Sequence, residues 1–417
     1  MNTDRKRHFG RNGNIFTKSF FFLSALSLVG LFFTAVRFTK GIGAVSNLSD
    51  GYPWGIWVAY DVAIGTAVTC GGYTVALLSY IINRGRYHSL VKSAILTSLF
   101  GSFLAASSIV VEIGRPWNAH GFLSATSWQP NSAFFELTLC SLGYLIALVL
   151  EYLPNLLRHL GSGAPTSLRT LLLNLLLRKG LVVLDPPGEG RGPFPDARLS
   201  RMINRVLICI TVAGILLPTI HQSALGSLML IASTKLHPLW HSPFLPLLFL
   251  INCIYFGYAI VIFVSILSSF VLGRGFHNAE LAAVGRIIPW LTAAWLVIRI
   301  GDLLHRDQVA AVFHGDFYAI FFLAECFLMG IGAIPLFGVA RKHSPRRLFI
   351  CAVVMLLGGG LYRFNVYLIG FNPGNGWHYF PSFAEVMIAV GIVSLEILLY
   401  QLLIKLLPPL PAQQLHY

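Results

Sequence analysis

Charge is what this chain has least of. Only 11% of its 417 residues are Asp, Glu, Lys or Arg, against 56% hydrophobic, a balance that excludes a water-soluble globular protein. Acids are the scarcer sign, 16 against 30 Lys and Arg. Cysteine is sparse and unpaired: Cys70, Cys140, Cys209, Cys253, Cys326 and Cys351 fall singly within apolar runs, so neither a disulfide framework nor a cysteine-held cluster is indicated. Metal-ligand spacings, a G-x-S-x-G elbow, a phosphate-binding loop and an internal repeat are also missing. The thirteen histidines read as lying in tails, loops or helix ends. A membrane b-type haem needs two imidazoles facing each other on neighbouring helices, so the expectation is a chain without haem or metal.

What is present in quantity is apolar sequence. Runs of 18 or more residues, each able to span ~30 Å of hydrocarbon, recur along the chain. They predict an all-α polytopic membrane protein with ten spanning helices, at 17–37, 54–82, 90–112, 131–153, 202–221, 244–271, 281–303, 316–340, 347–369 and 383–406. The membrane domain covers 17–407, between tails at 1–16 and 408–417. The basic start lacks a small-residue cleavage site before the first apolar run, which predicts a retained first helix. The net charge of +14 is an orientation signal rather than a nucleic-acid one. With both termini inside, Arg37, Lys40, Arg115, Lys235, Arg299, Arg306 and Arg363 fall on the outer side and the other 23 of 30 on the inner. Attraction to anionic lipid reinforces that bias. Trp54, Trp57, Trp117, Trp128, Trp240 and Trp377 fall at outer ends or loops, as membrane-interface anchors or a docking surface. The long inner connection, 154–200, is Pro/Gly-rich around SLRTLLLNLLLRKGLVVL, a candidate amphipathic surface helix.

The second run, GYPWGIWVAYDVAIGTAVTCGG, holds a carboxylate, Asp61, roughly 12 Å in from Pro53. Gly65, Thr69 and Gly72 share its helical face, small enough for close packing or a cavity border. An ionisable group at that depth faces protein or water rather than lipid. Helix three ends with Glu112, followed by Arg115. Helix four begins near Asn131 and places Glu136 roughly 8 Å in. Helix five ends at PTIHQSALGS, with His221, Gln222 and Ser223. Helices two to five thus bring three carboxylates and an imidazole to the outer half of one bundle, a candidate proton-handling cavity. Singly, each has a plainer role: a hydrogen-bonded Asp61, a Glu112 that caps a helix end or pairs with Arg115, an interfacial His221.

A second cluster comprises Arg299, Asp302, His305, Glu325 and Arg363. Arg299 and Asp302 are three residues apart and are expected to neutralise each other. Glu396 has no evident partner. The inner half of the membrane is poor in acids, which leaves a proton route from the cytoplasm undefined.

GYPWGIWVAYDVAIGTAVTCGG, NRGRYHSLVKSAILTSLFG, PTIHQSALGSLM, HPLW, GDFYAI and FNPGNGWHYFPSFAEVMIAVGIVSLEI together resemble the NrfD / polysulfide reductase membrane-subunit family. The likeness runs from about Phe32 to Pro408 and is strongest to the branch serving hydrogenase-2-type periplasmic nickel–iron uptake hydrogenases. It implies two four-helix bundles, helices two to five and six to nine, flanked by helices one and ten. It also implies a haem-free quinone-reactive subunit, reducing menaquinone or ubiquinone with electrons from a periplasmic ferredoxin-like iron–sulfur subunit and the hydrogenase small and large subunits. In those terms Asp61, Glu112 and Glu136 handle protons. His221, Gln222, Ser223, Trp54, Arg115 and Thr69 border the quinone, towards the periplasm of a bacterial inner membrane. One departure stands out: YAIVIFVSILSS, in helix six, lacks the acid expected of relatives. Rival readings are the same fold serving a polysulfide, tetrathionate or nitrite reductase, and a secondary transporter.

Overall fold

The computed structural model describes residues 17–78, 88–160, 197–272, 278–342, 344–374 and 376–406. The tails at 1–16 and 408–417 and the amphipathic stretch of the 154–200 connection lie outside the described residues. Among those described, the chain is helical, with no strand beyond an isolated bridge between Leu236 and Phe371. The helices are α1 (Lys18–Lys40), α2 (Gly65–Ala76), α3 (His88–Glu112), α4 (Ala133–Leu160), α5 (Ala197–Ile231) and α6 (Leu245–Leu272). They continue with α7 (Asn278–Gly285), α8 (Ile288–His305), α9 (Phe317–Lys342), α10 (Pro345–Phe364) and α11 (Phe383–Leu406). Among the described residues, nine stretches are long and apolar enough to cross a membrane, α7 and α8 counting as one.

The expected helix at 54–82 is not one of the nine. It begins as a π-helix, Trp57–Val62, before the α-helix Gly65–Ala76. In that wide turn the Ala63 N–H reaches back five residues to the Val58 carbonyl at 2.9 Å. Such π-turns are rare and recur at functional sites, and this one carries Asp61. A second π-segment, Asn365–Ile369, follows α10.

Helix α5 corrects the sequence reading. The helix expected to end at residue 221 runs on to Ile231, with Pro218 inside it. Proline removes one backbone hydrogen bond, a loss that a helix held by its neighbours tolerates in a membrane. Buried Leu225, Leu228 and Met229 hold the continuation in place. His221 is therefore interior to a helix, not at its end.

Packing follows small residues. α2 lies against α3, α5 and α6, α3 against α4, and α4 against α5. On the other side, α6 meets α8 and α10, and α9 meets both of those. The Asp61 face of α2 is the one laid on α3: Gly65 meets Leu104 and Gly101, and Gly72 meets Ser98. On the opposite side Gly257 of α6 comes so near α2 that a Cβ would sit 2.7 Å from the Cys70 carbonyl oxygen. Without a hydrophobic drive between helices in lipid, such close backbone contact is what associates them. α1 and α11 pair with each other through Gly30 and Gly391, and α11 also packs on α3.

Candidate functional site

The N-terminal end of the second helix is where the polar side chains begin. A helix start leaves its first N–H groups without partners. Here they are met from other parts of the chain. Glu112, the last residue of α3, accepts the Gly55 N–H at 2.8 Å, and the Tyr379 hydroxyl accepts the Ile56 N–H at 2.9 Å. Tyr379 in turn donates to Glu385 at 2.6 Å. Glu385 is fully buried and also accepts from the Ser382 and Asn47 N–H groups, while the Ser382 hydroxyl accepts from the Glu385 N–H. That reciprocal pair is a capping box opening α11. The sequence reading missed it, although S-x-x-E ahead of an apolar run is its signature. Arg37, buried in α1, closes the other side by donating to the Val111 and Ile113 carbonyls at the end of α3.

One turn below Glu112, Ser108 donates to Asp61 Oδ2 at 2.6 Å. Asp61 is fully buried and its Oδ1 has no hydrogen-bond partner; Glu112 likewise keeps one partnerless oxygen, Oε2. Both groups hold an acceptor in reserve. A buried carboxylate with a bare oxygen is costly unless that oxygen is protonated or meets a donor.

On the other side of α2, α4 and α5 supply a second polar group. His221 Nδ1 lies 3.2 Å from the Leu137 carbonyl and 3.1 Å from the Ser141 hydroxyl. A carbonyl only accepts, so Nδ1 carries the proton and Nε2 is left as a bare lone pair. That Nε2 is buried and has no partner. Its neighbour Gln222 donates to Thr66 at 3.2 Å and leaves its own carbonyl oxygen, Oε1, bare. Thr69 donates to the Thr66 carbonyl, and Tyr144 of α4 donates to that of Thr69. The buried atoms left over around α2 are thus acceptors, the complement of a ligand that presents O–H groups.

Several expected neighbours lie elsewhere. Glu136 sits in the first turn of α4 and is exposed rather than buried, and Arg115 is exposed as well. Ser223 is half-buried on α5 and donates nothing to His221's face; Trp54 donates to the Tyr367 carbonyl and packs on Phe371, facing the second set of helices. Trp57 and Trp240 are fully buried, unlike the exposed Trp117, Trp128 and Trp377, because their N–H groups donate to the Glu385 carbonyl and to Glu325.

The second cluster is rearranged. Arg299 pairs with Glu325 rather than Asp302, at 3.7 Å with both side chains fully buried. Trp295, Phe322 and Tyr362 surround its guanidinium at 5.9, 5.2 and 5.7 Å. Asp302 instead pairs with Arg306 one turn on, at 2.7 Å. Arg363 joins neither ion pair. It donates to Asn252, the Phe249 carbonyl and the Ala63 carbonyl of the second helix, and so ties α6 and α10 to the backbone beside Asp61.

These features define a polytopic helical membrane protein with unpartnered acceptors buried among its helices. The chain belongs to the NrfD family: the family model described as "Polysulphide reductase, NrfD" matches residues 44–372. It is 36% identical over 402 residues to the "Probable Ni/Fe-hydrogenase 2 b-type cytochrome subunit" of Escherichia coli, covering 96% of this chain and 94% of that protein. It is 24% identical over 416 residues to the "Menaquinone reductase, integral membrane subunit" of Nitratidesulfovibrio vulgaris, covering 92% and 89%. A selenate reductase subunit of Mesobacillus selenatarsenatis is 21% identical over 415 residues, covering 93% and 92%. The first of these names carries a b-type cytochrome. Among the described histidines, His221 is the one placed well inside a helix, with Nδ1 already engaged, and the described residues hold no group of three metal-ligating side chains. Those residues do not fit a bis-histidine haem.

Proposed function

We propose that this chain is the haem-free, quinone-reactive membrane subunit of a periplasmic nickel–iron uptake hydrogenase, taking electrons from a ferredoxin-like iron–sulfur subunit. The observation that carries the quinone reading is that two successive residues of α5 each keep a buried atom without a partner, His221 Nε2 and Gln222 Oε1. Both accept, and a hydroquinone presents two O–H donors. Gln222 is fixed by Thr66 and His221 by Leu137 and Ser141, so neither rotates away to find another partner.

Reduction of a quinone consumes two electrons and two protons. Asp61 and Glu112 are the groups proposed to hand protons over, each through its partnerless oxygen. Ser108 and the Gly55 N–H fix the opposite oxygens, which keeps the free ones oriented. Glu136 and Arg115 are left with a place at the exposed rim, where Trp117 and Trp128 also stand. That rim is the proposed docking face for the iron–sulfur partner.

The proposed topology has ten crossings and both ends in the cytoplasm. Residues 56–76 supply the tenth, since their helical path measures about 30 Å, and the basic residues favour this orientation. α2–α5 and α6 with α8–α10 then form the two bundles, and α1 and α11 the flank. A second reading, service to another periplasmic reductase, is favoured by the likeness to the menaquinone and selenate reductase subunits. Purification with native partners, followed by assay of hydrogen-dependent reduction of menadione and decylubiquinone, tests both. Quinone reduction without hydrogenase subunits in the complex selects the second. Absence of any redox partner, with solute transport by the chain alone, overturns both.

A further inference from the structure

Glu396, deep in α11, is partly buried, and its Oε1 has neither solvent contact nor a hydrogen-bond partner. Its position follows from how α11 lies on α3. Near the outer end Val111 clusters with Ile388 and Ala389, and further in Phe100 packs edge-on against Tyr400 at 5.6 Å. The two helices are antiparallel, so Glu396 stands level with Leu104, one turn or about 6 Å inward of the Ser108–Asp61 bond. It lies within Coulombic range of Asp61. No Lys or Arg occurs between Ala94 and Glu112 of α3, or between Trp57 and Ala76 of the second helix, to neutralise either carboxylate.

Polar groups continue inward along the same groove. Tyr400, one turn past Glu396, places its hydroxyl 3.4 Å from Ser268 of α6 and within reach of Thr97 of α3. Ser268 is four residues, about 6 Å, from the inner end of α6 at Leu272. A Glu396 retained only for packing would have no reason to keep a bare buried oxygen.

We propose that the groove between α3 and α11 is the proton route from the inner face to Asp61, with Ser268, Thr97, Tyr400 and Glu396 as its successive stations. The inference rests on the quinone reading of the site and supplies the inner half that the sequence left undefined. Each transfer is neutral overall. Glu396 gives a proton to Asp61 and is reprotonated through Tyr400, whose hydroxyl regains its own proton from Ser268 or Thr97. Two protons enter at the inner face for each quinone that takes two electrons from the partner subunits. Gaps longer than a hydrogen bond are ones that single water molecules bridge. Glu396 acts as a relay and touches no substrate.

The test uses the whole complex in proteoliposomes, with reduced benzyl viologen as outside donor, menadione and decylubiquinone as acceptors, and lumenal pyranine to read protons taken from the inner face. The variants are Glu396→Gln, Glu396→Asp and Tyr400→Phe. The expected result is quinone reduction slowed about tenfold or more in Glu396→Gln, lumenal alkalinisation lost with it, and both largely restored in Glu396→Asp. Tyr400→Phe, which removes one oxygen and keeps the ring packed on Phe100, is expected to slow both readings too, and it carries the test if Glu396→Gln fails to assemble. Wild-type rates and alkalinisation in Glu396→Gln and Tyr400→Phe would overturn the route while leaving the quinone site standing. A wild-type complex that reduces neither quinone would overturn the underlying reading instead.

Discussion

The Arg299 guanidinium stands 3.7 Å from the Glu325 carboxylate, neither side chain reaches solvent, and three aromatic rings enclose the cation. Glu325 is held further by Trp240 and Asn365, the latter at 2.6 Å in the second π-segment. Removing one member of such a pair strands the other as an unpaired buried charge.

Glu325→Leu is therefore expected to destabilise the detergent-solubilised protein by about 3 kcal/mol, whereas Glu325→Leu with Arg299→Met costs about 1 kcal/mol or less. Thermal unfolding of the two variants against the parent reads the difference. Equal losses in the single and double variants would show that the pair adds nothing as a pair.

Asp61 is held from one side only. Asp61→Asn keeps the volume and the Ser108 contact and abolishes proton exchange, so quinone reduction by the purified complex is expected to fall about 100-fold. Ser108→Ala leaves the carboxylate but frees its rotation, and a loss of about tenfold or less follows. Normal turnover in Asp61→Asn would remove it from the chemistry.

Much of this was legible beforehand, because membrane spans are written in composition. The length of an apolar run and the side that carries its Lys and Arg need no tertiary information. The small face of Asp61, Gly65, Thr69 and Gly72 was read as one for close packing or a cavity border, and it lies on α3. What failed depends on contacts between distant residues. The helix expected to end at residue 221 runs on to Ile231, and the burial of Leu225 and Met229 that holds the extra turns is not visible in local sequence. Asp302 sits one turn from both Arg299 and Arg306, and nothing local says which it chooses. Glu385 was the avoidable omission, since its capping box is written in SFAE.

The b-type cytochrome in the name of the Escherichia coli relative makes haem content worth measuring. The expected spectrum of the purified chain after pyridine and dithionite treatment lacks the α-band of haem b. A stoichiometric band that disappears in His221→Phe would assign His221 as an axial ligand, and the quinone reading of its free Nε2 would have to be withdrawn.

The connection before α6 carries a pH-dependent contact outside the spanning segments. His237 stacks on Tyr318 with ring centroids 4.2 Å apart, and its Nδ1 accepts the Leu239 N–H at 3.3 Å. Partial burial holds its imidazole below the ordinary histidine value, with His314 acting the same way and Asp316 opposing. An accepting Nδ1 must be unprotonated, so the contact and the shift agree in sign. The folded state binds the proton less readily than the unfolded chain does, so its advantage is complete above the unfolded value, ~6.5, and is lost as pH falls through the lower folded value. Melting temperature is expected to fall on acidification below that point. In His237→Asn the side-chain oxygen still accepts from Leu239 but does not titrate, so this part of the slope should vanish while stability above neutrality changes little. A parent and variant with superimposable pH profiles would show that His237 is not the group responsible.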